Sequence, residues 1–179
     1  EPIRDHAPFG LVGVSAAKGL ALGRGLPIVD VHHIEAHVFA NRIEHPDLDP
    51  PFVALVVSGG HTQLLLVRKP FDHALLGETL DDAAGEAYDK VAKMLGLGYP
   101  GGPAIDRRAR SGRPDSIRFP RSLGDAAGYE FSFSGIKTAF NQAVRSHTEK
   151  DPDFVEKNLD ALCATLQNGI IDHLMAKTR

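Results

Sequence analysis

FVALVVSGGHTQLLLV, residues 52–67, decides the fold. Phe52–Val57 is a continuous apolar run of strand type, Ser58-Gly59-Gly60 turns the chain, and Thr62–Val67 is a second strand. The stretch reads as a β-hairpin. Downstream, TLDDAAGEAYDKVAKMLG (79–96) has a helical period. Leu80, Ala84, Ala87, Val91 and Leu95 form one apolar stripe, Thr79 and Asp82 resemble a capping box with Asp for the usual Glu, and Gly96 stops the helix. Gly98–Pro103 is a turn, with Pro103 suited to the first position of a short helix. Phe131–Ser134 reads as a short strand feeding a helix from about Gly135 to His147. A long amphipathic helix follows from Phe154 to about Thr178, with Val155, Leu159, Leu162, Leu166, Ile170 and Leu174 on one face.

Upstream of the hairpin, LVGVSAAKGLALGR (11–24) is helical in period, and its Gly13, Ala16, Ala17 and Gly19 suit close packing against a neighbour. PIVDV (27–31) reads as a short buried strand and HHIEAHVFANRIEH (32–45) as a helix, ended by Pro46, Pro50 and Pro51. Strands and helices alternate, which favours an α/β fold.

The composition narrows the function classes. The 179 residues are 42% hydrophobic and 24% charged, within the ordinary globular range. A net charge of −3 excludes a uniformly basic nucleic-acid binder but leaves room for a local patch. Cys163 is the only cysteine, so neither an internal disulfide nor a cysteine-based zinc knuckle can form, and a reducing, cytoplasmic setting is the default. No apolar stretch approaches the length of a membrane span.

Five features carry chemistry. His33 and His37 are four apart, so on a helix they project from one face, where two imidazoles can share a metal ion. The alternative is a polar helix face with scattered histidines. A zinc peptidase needs H-E-x-x-H; here Glu35 lies two residues after His33, about 200° around the helix, so that reading is weak. VVSGGHTQL (56–64) offers turn N–H groups to a phosphate, with the hydroxyls of Ser58 and Thr62 as further donors, or else is an ordinary hairpin turn. Asp82, Glu86 and Asp89 make an acidic stripe. It either pairs with lysines (Glu86–Lys90, Asp89–Lys93) or presents Asp89 to ribose hydroxyls.

YPGGPAID (99–106) brings Gly101 and Gly102 to the start of a helix, where backbone can approach a ligand, with Asp106 one turn on. It also reads as a plain glycine-rich connection. Arg107, Arg108, Arg110, Arg113, Arg118 and Arg121 cluster beside it. Residues 101–179 carry a net +2 against −5 for residues 1–100. The cluster suits phosphate-backbone contacts or a solvated loop. Lys137, after FSFSG, is a further basic candidate.

Taken in order, HHIEAH, VVSGGHTQL, LDDAAGEAYDKVAKMLGL, YPGGPAID and FSFSGIKTAF resemble the tRNA threonylcarbamoyladenosine transferase family (TsaD in bacteria, formerly called O-sialoglycoprotein endopeptidases) over about residues 11–179. The resemblance implies an actin-like/sugar-kinase fold of RNase H-like lobes, present here only in part. Residues 1–50 would be the end of the first lobe with the metal-binding helix. Residues 51–179 would be an incomplete second lobe with a helical insertion at about 79–150.

The resemblance implies transfer of a threonylcarbamoyl group from threonylcarbamoyl-AMP to N6 of the adenosine 3′ to the anticodon, in tRNAs reading codons that start with A. It implies one divalent metal ion, iron or zinc, on His33 and His37. It places the substrate on Val56, Val57, Ser58, Gly59, Gly60, Asp89, Gly102 and Asp106, with ATP as an alternative nucleotide. Arg107, Arg108, Arg110 and Lys137 are candidate tRNA contacts. Partners implied are tRNA, a TsaB-like paralogue and a TsaE-like ATPase, with no membrane. No residue is assigned a covalent catalytic role.

The family's opening I-E-T-S-C-D-D-T segment, its later glycine-rich segment with a ligand-binding asparagine, and the aspartate that is its third metal ligand have no match in these 179 residues. The expectation is therefore roughly the middle half of such a protein, binding metal weakly and inactive alone. A non-catalytic scaffolding relative remains the alternative; such relatives lose the histidine pair that this chain retains.

Overall fold

A strand forms only where a neighbour can take its backbone hydrogen bonds, and the apolar run 52–57 finds one across the glycine turn. In the computed structural model, which describes residues 8–114, 117 and 128–178, β1 (Phe52–Val57) pairs antiparallel with β2 (Thr62–Lys69), from Phe52 opposite Val67 to Val57 opposite Thr62. A third strand, β3 (Asp72–Glu78), pairs antiparallel with β2, giving the order β1-β2-β3. Its register slips between Leu64 and Leu65, and the connecting turn places Phe71, not a glycine, at φ 62°. β2 is central and its Leu64, Leu65 and Val67 are buried.

Six helices accompany the sheet among the described residues: α1 (Pro8–Arg24), α2 (His33–Glu44), α3 (Ala84–Met94), α4 (Gly101–Ala109), α5 (Ser134–Thr148) and α6 (Phe154–Thr178). The described chain divides into two compact units, with the boundary after Ala36. In the first, α1 leaves Leu11, Val12, Leu20 and Leu22 exposed, and Gly13, Gly19 and Gly23 have open space around them instead of a close neighbour. PIVDV is not a strand: residues 26–32 are irregular, and Val29 and Val31 are exposed. β propensity alone does not make a strand, and this unit holds no second strand among the described residues to accept its hydrogen bonds.

In the second unit the core lies where α3, α4, α5 and α6 meet the sheet. Leu64, Ala87, Val91, Ile105, Phe140, Leu162, Leu166 and Ile170 form it together with Phe131 and Phe133. α6 runs over the range its apolar period predicts. Cys163 is buried on it, and burial, helped by the nearby Asp160 charge, pushes the thiol up to about 11. α3 begins at Ala84, five residues later than the period indicates. Thr79 and Asp82 form no capping box; the Thr79 hydroxyl donates to the Asp82 carbonyl (2.7 Å) in a turn ahead of the helix, and Leu80 faces solvent. Gly96, at φ 73°, ends the helix as expected. α4 starts at Gly101 and holds Pro103 within its first turn. Phe131 contributes a single parallel bridge to Thr79, and α5 follows at once.

Among the described residues no helix is long and apolar enough to cross a membrane.

Candidate functional site: two glycine loops on one helix

The helix α2 carries His33 and His37 on its exposed side, while Ile34 and Val38 are buried. Two imidazoles four apart on one helix can fill two positions of a divalent ion's shell. No group of three or more His, Cys, Asp or Glu able to hold a metal occurs among the described residues. A groove of about 430 Å³ runs between α2 and β1, and His37, Asn41, Val56 and Ser58 all line it. The structure thus brings His37 and Ser58, far apart in sequence, to one groove.

At the end of β1 the chain reverses tightly. The Ser58 N–H donates to the His61 carbonyl (2.8 Å), and the Ser58 hydroxyl oxygen accepts from the N–H groups of His61 (3.0 Å) and Gly60 (3.3 Å). The Gly60 N–H and the Ser58 hydroxyl therefore serve the turn itself. Gly59 and Gly60 have open space where a Cβ would stand, and both are exposed. Thr62 corrects the sequence reading. It is fully buried, and its hydroxyl oxygen accepts the Ala84 N–H (2.9 Å), so it faces the protein and offers no donor to a ligand.

α3 lies beneath both glycine loops. Its Gly85 N–H donates to the Ser58 carbonyl (3.1 Å), and a Cβ at Gly85 would stand 2.7 Å from Gly59 Cα. One turn along, Asp89 accepts the Gly101 N–H at 2.7 Å. This carboxylate anchors YPGGPAID instead of pairing with Lys93. A Cβ at Gly101 would meet Asp89 Cα at 2.6 Å and the Tyr88 carbonyl oxygen at 2.8 Å, whereas Gly102 has open space around it. Glu86 does pair with Lys90 (2.8 Å), as its spacing predicts.

The remaining charges are largely engaged with one another. Asp106 accepts from Arg110 (2.7 Å) and Gln167 (3.4 Å), and these partners hold its carboxyl below the usual range. Arg108 pairs with Asp160 (3.4 Å) beside an open groove of about 550 Å³ that also includes Arg113 and Lys157. Arg107 is exposed. Arg118 and Arg121 lie outside the described residues. Lys137 donates to Asp82 (2.6 Å), which also accepts from Lys90 (2.6 Å); against the opposing effect of burial, the two ammonium groups lower the Asp82 carboxyl.

Sequence reading missed Asp81. Its carboxylate accepts from the hydroxyls of Ser132 and Ser134 (both 2.6 Å) and from the N–H groups of Phe133 (2.8 Å) and Ser134 (3.1 Å). Burial works to raise the Asp81 carboxyl, but these four donors bring it down to about 2. The acidic doublet before the helix is the only local trace of this clamp, since its partners lie some fifty residues on. His173, also missed, is buried and accepts the Ser132 N–H through Nε2 (3.2 Å). Burial and the Lys177 charge lower its basicity, which suits a neutral acceptor.

The family model described as tRNA N6-adenosine threonylcarbamoyltransferase (TsaD) matches residues 11–179. Among curated proteins of that name, one from Porphyromonas gingivalis is 51% identical over 174 residues, covering 94% of this chain and 50% of the relative. One from Pelobacter propionicus is 53% identical over 168 residues (94% and 48%), and one from Thermotoga neapolitana is 50% identical over 168 (94% and 49%). The chain spans about half the length of the curated relatives it matches.

Proposed function

Since the chain belongs to the tRNA N6-adenosine threonylcarbamoyltransferase family, we propose that it supplies the nucleotide-holding part of an acyltransferase that modifies tRNA. The fold proposed for the complete protein is the actin-like/sugar-kinase type, of which the antiparallel three-stranded sheet and its helices would be one portion. The observation that carries the proposal is the helix α3. It holds the Ser58–Gly60 turn at Gly85 and the Gly101–Gly102 loop at Asp89, one helical turn apart, with open space over Gly59, Gly60 and Gly102.

The reaction forms a bond between N6 of the adenosine and the carbamoyl carbon of threonylcarbamoyl-AMP. It breaks the bond from that carbon to the phosphate oxygen, releases AMP and gives up one N6 proton. The chain's part is orientation and electrostatics. Open-faced glycines let backbone come close to the adenylate along Val56–Gly60 and at Gly102, where a side chain would hold it off. Asp106, held ionised by Arg110, lies one turn into α4 and would orient the nucleoside.

His33 and His37 would hold a divalent ion, iron or zinc, and such an ion when bound supplies positive charge for oxygens that become more negative in the transition state. Exposed Arg107 and Arg110, with Arg108 beside the second groove, would meet the tRNA backbone. Lys137, tied to Asp82, would contribute mainly by keeping α5 in place. A TsaB-like paralogue and a TsaE-like ATPase are the proposed protein partners.

The test is His33→Ala with His37→Ala in the complete protein together with its partners. The expected outcome is a fall in tRNA threonylcarbamoylation of more than about 10²-fold, the size that loss of a charge-stabilising group produces, with the unfolding midpoint within the error of the parent. Unchanged modification would remove the histidines from the reaction.

A further inference from the structure

The first turn of α3 is occupied in an unusual way. The initial N–H groups of a helix have no partner within the helix and are available to an anion. Here the first two are already taken: Ala84 N–H by the Thr62 hydroxyl (2.9 Å) and Gly85 N–H by the Ser58 carbonyl (3.1 Å). The first two N–H groups of α3 thus seat the hairpin turn. Thr62 is pinned from two sides, because its carbonyl also accepts the Thr79 N–H at 2.9 Å. Gly85 supplies the clearance. With any Cβ there, Ser58 O and Gly59 Cα would each stand at 2.7 Å and Gly59 N at 2.9 Å, so the turn would have to lift.

We propose that Thr62 and Gly85 are positioning residues that hold the Ser58–Gly60 turn flush against α3, and so set its reach toward the adenylate. The inference rests on the transferase reading. Both would act through the turn: Thr62 is fully buried, and Gly85 packs against Ser58 and Gly59 with its N–H on the Ser58 carbonyl.

Thr62→Val keeps the shape and removes the acceptor for a buried N–H, whereas Thr62→Ser keeps the acceptor. In the complete protein with its partners, Thr62→Val is expected to lower kcat/KM for threonylcarbamoyl-AMP on the order of 10²-fold, as a misplacement of about 1 Å does. The loss is carried by KM for the adenylate, with KM for tRNA unchanged. Thr62→Ser returns the adenylate KM to near the parent value, and Gly85→Ala, where it folds, shifts it as Thr62→Val does. A purely structural role would instead reduce the folded fraction and leave both KM values alone. That result, or Thr62→Ser as impaired as Thr62→Val, overturns the proposal.

AMP binding by calorimetry separates the two claims. If the parent complex makes no threonylcarbamoyladenosine, weaker AMP binding in Thr62→Val but not in Thr62→Ser upholds the seat while the transferase reading falls. Unchanged AMP binding in both variants overturns the seat.

Discussion

The turn at residues 58–60 and the loop at 99–102 reach the same helix by opposite arrangements. For the turn, the clearance glycine is on α3 itself, Gly85, and the anchoring acceptors, Ser58 O and the Thr62 hydroxyl, are on the hairpin. For the loop, the clearance glycine belongs to the loop, Gly101, and the anchoring carboxylate, Asp89, is on the helix. In both, a packed glycine makes the contact below while a different glycine is open above. Glycine in a motif thus has two separable meanings, close approach to the protein and close approach to a ligand, and only the three-dimensional contacts tell them apart.

Gly101→Ala would strike this comparison hardest. Its Cβ meets backbone of Asp89 and Tyr88, which cannot move aside as a flexible side chain does, so a stability loss of about 3 kcal/mol is expected, at the upper end for overpacking. Chemical denaturation of the complete protein measures it, and a parent-like midpoint would mean that the loop is not seated as the turn is. Asp89→Ala comes next. It leaves the Gly101 N–H without its acceptor, at a cost of about 2 kcal/mol, and Asp89→Asn should recover most of that by retaining an oxygen. Equal losses for Ala and Asn would show that charge, not the hydrogen bond, holds the loop. The smallest effect on stability belongs to Gly102→Ala, within about 0.5 kcal/mol because nothing lies near its Cβ. That variant sharpens the contrast: AMP affinity should fall while the midpoint stays, the reverse of a packing defect.

Local pattern carried some of this and not the rest. The hairpin at 52–67 and the helix α6 were legible because each buries one face of a regular period. β3 was not. DHALLGE lacks a clean alternation, its pairing with β2 is interrupted by a register slip, and its turn uses Phe71 at φ 62° where glycine would have announced a reversal. PIVDV misled for the opposite reason, with strand composition and no partner strand among the described residues. The start of α3 was misplaced because Thr79 and Asp82 have capping-box spacing but close a turn on their own, while the N–H that a cap would serve is taken by Thr62, twenty-two residues away.

The same distance limit applies to the site. The histidine spacing, the two glycine motifs and Asp89 could be picked out along the chain. Thr62 could not be assigned its role, nor could Gly85 or Asp81, since their partners come from other elements. The role of Asp89 as a loop anchor required knowing that α4 begins beside it.

Cys163 also has a practical consequence. Its thiol is sealed between α6 and its neighbours and pushed up to about 11, so at neutral pH almost none of it is the reactive thiolate. An alkylating reagent can label it only in molecules where that helix has come away. The rate of labelling at Cys163, followed by peptide mass, would therefore time the opening of this corner of the core without any introduced probe.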